Sequence, residues 1–128
     1  MKIRKTIACL LLLVMILAGC GKLNTVEAIA LSNTPLYDNI ASSSSESLSC
    51  DEPIYASVAV IESPKGMAYT GRWLLNGVEI DRTTQTTAQD QTDVLVFALA
   101  PTKLIDGTLR FELWSHDTLL ETCELNVE

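Results

Sequence analysis

Apolar and polar residues alternate through most of the chain after residue 53, which is the pattern of half-buried β-strands. In the first such segment, residues 54–61, the side chains of Ile54, Val58 and Val60 share one apolar face. The residues that follow, Ser63–Gly66, have the composition of a turn. The pattern predicts a strand and a tight turn at the start of a folded domain.

A second alternating segment places Trp73 and Leu75 on one face and Arg72 on the other. Asn76–Gly77 follows directly, and this pair between apolar runs is the strongest short hairpin signal because a type I′ turn needs positive φ at both central residues. We therefore predict a β-hairpin with Trp73 in the core. The return strand is expected to end in an exposed, threonine-rich edge.

Three further segments complete the predicted strands. Residues 92–99 are apolar on both faces, and their β-branched and aromatic content, short length and following Pro101 favour a buried strand over a helix. Residues 107–114 and 118–127 alternate and are separated by a polar turn. The chain from residue 51 is thus predicted to be all-β, a single small antiparallel β-sandwich of about six to seven strands.

Trp114 breaks this pattern, because it falls on the polar side of its strand beside Arg110. Two interpretations remain open. The ring either packs against a loop, the N-terminal tether or the neighbouring sheet edge, or it is an exposed aromatic that binds a partner or a sugar. Trp114 and Arg110 are the candidate partner-binding residues of the sequence.

The N-terminus carries a different hydrophobic pattern. Basic residues precede an apolar run at residues 7–17, which is too short for the roughly 20 residues that span a bilayer core, although an uncut membrane helix is the alternative. The run ends in Leu17-Ala18-Gly19-Cys20, which resembles the lipobox of bacterial lipoproteins. That resemblance implies cleavage before Cys20 and attachment of acyl chains such as palmitate to its thiol. It places the protein outside the cytoplasm, on the cell membrane or the outer membrane.

The sequence therefore divides into a signal peptide (1–19), a lipidated N-terminus with a serine-rich flexible tether (20–50) and a β-sandwich domain (51–128). A tether of that length would reach roughly 30 Å from the membrane. The apolar segment 26–31 leaves a second interpretation open, namely a short strand or a contact with the domain.

The net charge of the chain after cleavage bears on the kinds of partner that it could bind. Cleavage would leave 109 of the 128 residues, with six basic and sixteen acidic residues and a net charge of −10, which argues against nucleic acid as a partner.

After cleavage, the cysteines other than the lipidated one would be Cys50 and Cys123. We predict a disulfide between them, with two buried free thiols or a reactive thiol as alternatives.

The block Tyr69–Gly77 resembles the central hairpin of bacterial immunoglobulin-like or fibronectin-type sandwiches, in which a tryptophan on the third strand fills the core. The block Gly107–Leu113 with its closing strand resembles their final hairpin. The resemblance covers residues 53–127 and implies the architecture. It does not imply the antibody-type disulfide, because Cys50 precedes the first clear strand.

No residue pattern in the sequence indicates a catalytic site. Ser115-His116-Asp117 contains triad residue types, but consecutive turn residues splay apart and a triad must converge. The single histidine and the absence of CxxC argue against zinc, and aspartates near turns are interpreted as solvated rather than calcium-binding. We expect no enzyme activity, no cofactor and no metal.

The sequence thus predicts a membrane-anchored extracytoplasmic lipoprotein that presents a non-catalytic binding or protein-interaction domain. Its partner would be an envelope protein or a glycan. The alternative is a structural cell-envelope lipoprotein without a specific ligand pocket, and an enzyme with an unrecognised site is a third hypothesis.

Overall fold

The computed structural model of the protein describes residues 25–40 and 47–128. The predicted signal peptide, the predicted lipidation site Cys20 and residues 41–46 of the serine-rich segment lie outside the described residues. Within the described ranges, no helix is long and apolar enough to cross a membrane.

Eight strands form the described part of the chain. They are β1 (Val26–Ser32), β2 (Ser47–Leu48), β3 (Ile54–Ser63), β4 (Ala68–Leu75), β5 (Val78–Thr86), β6 (Gln91–Leu99), β7 (Gly107–Ser115) and β8 (Thr118–Val127). A turn of 3₁₀ helix, Pro101–Lys103, connects β6 to β7. The strands form a three-stranded sheet, in the order β1–β3–β6, and a five-stranded sheet, in the order β2–β8–β7–β4–β5. Neighbouring strands are antiparallel except for the short β2, which runs parallel to β8.

This strand order is that of an immunoglobulin-like sandwich. β1, β3 and β6 occupy the places of strands A, B and E, while β8, β7, β4 and β5 occupy those of G, F, C and C′. The predicted all-β, immunoglobulin-like architecture is confirmed. β1 and β2 add to the six strands traced along the sequence.

Aromatic side chains fill the space between the two sheets. Trp73 on β4, Phe97 on β6 and Phe111 on β7 are fully buried. The ring centroid of Phe111 lies 4.8 Å from that of Trp73 and 5.3 Å from that of Phe97. A Cβ atom at Gly71 would lie 2.7 Å from the Phe111 ring and 2.8 Å from the Phe97 ring, so this strand position has no room for a side chain. The predicted core position of Trp73 is confirmed.

The β4–β5 hairpin also forms where the sequence predicts it. Asn76 has a φ of 51° and Gly77 a φ of 84°, the two positive values of a type I′ turn. The Asn76 side chain accepts a hydrogen bond from the backbone N–H of Thr108, which ties the hairpin tip to the start of β7.

The sandwich begins earlier than the predicted boundary at residue 51. β1 pairs with β3 from Val26 to Ser32, and Thr25 accepts a backbone hydrogen bond from Ile61 at 2.7 Å. The Thr25 hydroxyl also lies 2.8 Å from the Tyr69 hydroxyl. Residues 26–32 and 47–48, predicted as tether, therefore belong to the two sheets.

β6 is a strand, as predicted, but it lies at the edge of the three-stranded sheet and is buried on one face only. Phe97 and Leu99 point into the core, whereas Val96 is half-buried and Ala98 is exposed. Val94, on its outer face, lies beside residues 37–40. The backbone of the preceding residue, Leu36, donates a hydrogen bond to Ser57 on β3.

Candidate functional site

The outer face of the five-stranded sheet gathers the charged and aromatic side chains of three adjacent strands. Alternation on β4 and β7 turns one set of residues inward and the other outward. The strand register then pairs Thr70 with Trp114 and Arg72 with Glu112 across β4 and β7, and Arg72 with Arg82 across β4 and β5. We call this surface the Trp114 face; it comprises Thr70, Arg72, Arg82, Arg110, Glu112 and Trp114.

Glu112 is the centre of this surface and is largely buried, with a side chain 9% exposed. Its Oε1 atom accepts hydrogen bonds from the Trp114 indole nitrogen at 3.0 Å and from Arg72 Nη1 at 3.1 Å. Its Oε2 atom lies 3.0 Å from Arg110 Nε, an ion pair in which the N–H does not align as a hydrogen bond. One carboxylate thus orients an indole and two guanidinium groups.

A second carboxylate joins the two arginines of the β4–β5 hairpin. Glu79 Oε1 lies 2.8 Å from Arg82 Nη2 and 2.5 Å from Arg72 Nε. The hydrogen bonds from Arg82 and Arg72 lower the pKa of Glu79 below its ordinary value. Glu79 is therefore ionised at neutral pH and offsets part of the repulsion between two guanidinium groups on directly opposite residues.

The Arg72 guanidinium also lies over the Trp114 ring, 5.4 Å from its centroid, within the range of a cation–π interaction. Beside this pair is a cavity of about 210 Å³. Its walls are Thr70, Arg72, Arg82, Trp114, His116 and Asp117. The arrangement offers a ring surface, cationic donors and smaller polar groups to a bound molecule.

The structure brings together Trp114 and Arg110, the two candidate partner-binding residues named from the sequence, through Glu112. Sequence reasoning missed Arg72 and Arg82 as site residues. Alternation already placed Arg72 opposite Trp73, which was a usable signal. Arg82 had no such signal, because a register shift in the hairpin between Trp73 and Leu74 sets its position.

The polar turn after β7 contributes to the rim of the same cavity. Ser115 ends β7, and His116 adopts a φ of 53° in the turn to β8. His116 and Asp117 line the cavity without forming a hydrogen bond or ion pair to the other described residues.

Two of the aspartates near turns, Asp90 and Asp93, accept hydrogen bonds from the backbone. Asp93 accepts hydrogen bonds from the backbone N–H groups of Ala88 and Gln89, and Asp90 accepts one from Lys65. Among the described residues, no group of three or more histidine, cysteine or acidic side chains could hold a metal ion.

A larger cavity, of about 400 Å³, lies on the outer side of the three-stranded sheet. Its charged lining residues are Glu27 and Asp93, and no cation lines it. The Trp114 cavity combines an aromatic ring with cations and is therefore the better candidate for a binding site.

The structure does not support the predicted disulfide, because Cys50 and Cys123 are free thiols. The Cys50 backbone N–H bonds to the carbonyl of Glu128, at the end of β8. Cys123 lies five residues before Glu128, roughly 16 Å along the strand, whereas a disulfide needs Cα atoms within about 7 Å. The Cys50 thiol instead lies 3.5 Å from an Asp106 carboxylate oxygen.

Comparison with known proteins gives weak likenesses. The sequence matches no model of a known protein family and no curated protein. Among solved structures, an immunoglobulin-like protein from Pseudomonas aeruginosa aligns at 13% identity and a TM-score of 0.48, covering 82% of this chain and 95% of that one. A CARDB domain from Pyrococcus furiosus, solved with di-metal ions, aligns at 14% identity and a TM-score of 0.42, covering 81% of this chain and 90% of that one.

A β-glucosidase from Listeria innocua, solved with glucose, aligns at 9% identity and a TM-score of 0.49. The alignment covers 64% of this chain and 14% of the enzyme, so this chain corresponds to a small part of it. Likenesses at this level say nothing about a shared activity. The immunoglobulin-like assignment rests on the strand order.

Proposed function

We propose that the protein is an extracytoplasmic lipoprotein, held to a membrane by acyl chains on Cys20, whose immunoglobulin-like sandwich binds a partner through the Trp114 face without catalysing a reaction. The observation that carries the proposal is the half-buried Trp114, held by Glu112 beside two arginines and next to a cavity. The immunoglobulin-like fold is compatible with a binding domain.

The distribution of cations supports the choice of this surface. The arginines after residue 4 are Arg72, Arg82 and Arg110, and all of them lie on the Trp114 face. The chain after residue 19 has six basic and sixteen acidic residues. Arginine and tryptophan are the residues that most often dominate binding energy at protein interfaces.

The start of β1 determines how close the domain would lie to the membrane. Thr25 is fixed to the sandwich by its bonds to Ile61 and Tyr69. Four residues separate it from Cys20, so the two Cα atoms lie at most about 18 Å apart. The proposed anchor would therefore hold the domain close to the membrane. Thr25 and His116 line the same cavity, so the end of the sandwich that carries the 116–117 turn would face the membrane.

Two measurements test the two halves of the proposal. The intact mass of membrane-purified protein should correspond to a chain that starts at Cys20 and carries acyl groups. A chain without acyl mass would remove the anchor.

The binding half is tested by capture of envelope components with the wild-type protein and with Trp114→Ala. Loss of the captured partner in this variant is the expected result. Val78→Ala, a change to an exposed side chain at the far end of the β4–β5 hairpin, is the matched control. Equal capture by all three proteins would exclude the Trp114 face and favour a structural envelope role.

A further inference from the structure

The arginines of the Trp114 face share a small number of carboxylate oxygens. Arg72 and Arg82 are direct register partners on β4 and β5, and a single oxygen of Glu79 lies between them. Like charges on opposite residues repel. The other carboxylate, Glu112, is shared by Arg72, Arg110 and the Trp114 indole.

Three guanidinium groups therefore share two carboxylates, and a third carboxylate, that of Asp117, lines the cavity without an ion pair among the described residues. Arg82 is the most exposed of the three, with a side chain 56% exposed, and its guanidinium makes one of its five possible donor contacts, to Glu79. A guanidinium with free donors pairs with a carboxylate or a phosphate through two parallel hydrogen bonds. The open position in this network thus fits a carboxylate from a ligand.

The remaining walls indicate what is attached to that carboxylate. Trp114 offers a ring against which an apolar surface packs, while Thr70, His116 and Asp117 offer hydroxyl, imidazole and carboxylate groups. The last two have no partner among the described residues. The volume of about 210 Å³ is below the roughly 300–1,000 Å³ of pockets for drug-sized ligands, so it admits one small ring.

We propose that the Trp114 cavity binds a hexuronate, a six-membered sugar ring with a carboxylate, either free or as a unit of an acidic glycan. The inference rests on the proposed binding role of the Trp114 face. The carboxylate pairs with Arg82 and Arg72, the C–H face of the ring packs on Trp114, and the sugar hydroxyls reach Thr70, His116 and Asp117. No bond is made or broken.

The test is a titration of the full-length, membrane-purified protein in detergent micelles, with ¹⁵N-labelled tryptophan. Trp73 is buried with an unpartnered indole nitrogen and the Trp114 indole donates to Glu112, so the two indole signals differ in environment. Trp114→Phe assigns them. D-galacturonate should shift the Trp114 signal in a saturable way and leave the Trp73 signal unchanged. D-glucose supplies the sugar ring without the carboxylate, and acetate supplies a carboxylate without the ring. Each should bind at least tenfold more weakly than galacturonate.

Arg82→Gln removes the exposed cation from the cavity and should weaken galacturonate binding about tenfold or more, the effect of losing a charged hydrogen bond. Lys103→Gln removes a cation elsewhere, beside Asp81, and should leave binding unchanged. A galacturonate trimer that binds more tightly than the monomer would assign the ligand to a polymer, and equal binding would assign it to the free sugar. Both results support a hexuronate.

Equal shifts with glucose and galacturonate would refute recognition of the carboxylate. Binding of acetate as tight as that of galacturonate would refute recognition of the sugar ring. No shift with galacturonate would overturn the hexuronate as a whole. The capture experiment with Trp114→Ala does not depend on this ligand, so it separates failure of the hexuronate from failure of the Trp114 face.

Discussion

Replacement of Glu112 should destabilise the sandwich as well as disorder the Trp114 face. The carboxylate is 9% exposed, and it accepts hydrogen bonds from the Trp114 indole and from Arg72 while pairing with Arg110. In Glu112→Ala the Trp114 indole and Arg110 lose this partner, whereas Arg72 keeps its ion pair with Glu79. In Glu112→Gln one oxygen remains and can still accept from the indole.

The magnitude follows from the exposure of the partners. A hydrogen bond to a charged group contributes about 1.5–3 kcal/mol, but the side chains of Arg72 and Arg110 are 25% and 41% exposed and recover part of this from water. We therefore expect Glu112→Ala to lower the free energy of unfolding by about 2 kcal/mol and Glu112→Gln by about 1 kcal/mol. For a domain of about 100 residues, 2 kcal/mol corresponds to a decrease in Tm of roughly 8–16 °C.

Urea denaturation of the purified full-length protein, followed by tryptophan fluorescence, measures these differences. Glu124→Gln is the matched control, because Glu124 is exposed and lies opposite Arg110 on β8, at the margin of the same surface. It should change the free energy of unfolding by less than about 0.5 kcal/mol. An effect of Glu112→Ala no larger than that of Glu124→Gln would refute the central role of Glu112.

Three other predictions concern the core and the thiols. Gly71→Ala should destabilise the fold by about 1–3 kcal/mol in the same assay, because its Cβ would meet two phenylalanine rings, and an unchanged midpoint would contradict this. Tyr69→Phe should cost about 1–2 kcal/mol, since the buried hydroxyl lies 2.8 Å from those of Ser63 and Thr25, whereas Tyr37→Phe, at a 68% exposed ring, should be neutral. Cys50 and Cys123 should both be alkylated without reductant, as measured by intact mass. Desolvation is the largest cause of the raised pKa of both thiols. The thiolate fraction and the alkylation rate should therefore be low at neutral pH and increase as the pH rises. Thiols that are alkylated only after reduction would instead show a disulfide.

Local sequence patterns predicted the parts of the fold that depend on near neighbours. Asn76–Gly77 fixes its hairpin because the turn conformation is a property of two residues. Alternation placed Trp73 inward and Trp114 outward because the side-chain period of a strand is two.

The remaining features depend on contacts between residues distant in the sequence. The two cysteines bracket the domain in sequence, but β2 meets the end of β8 and leaves Cys123 too far along that strand for a bond. The sequence of segment 26–32 is compatible with either a tether or a strand, and its pairing with β3 decides between them. The position of Arg82 depends on a register shift that no local pattern marks.

Photocrosslinking in cells tests the central claim most directly. A photoreactive residue placed at Thr122, which is exposed and lies opposite Glu112 on β8, should crosslink to an envelope component in the membrane fraction. The same residue at Ala98, exposed on the three-stranded sheet, is the control and should give no such product. A product that forms at Thr122 and disappears with Trp114→Ala is the predicted result. Absence of a product at Thr122, or an identical product at Ala98, would contradict a binding role for the Trp114 face.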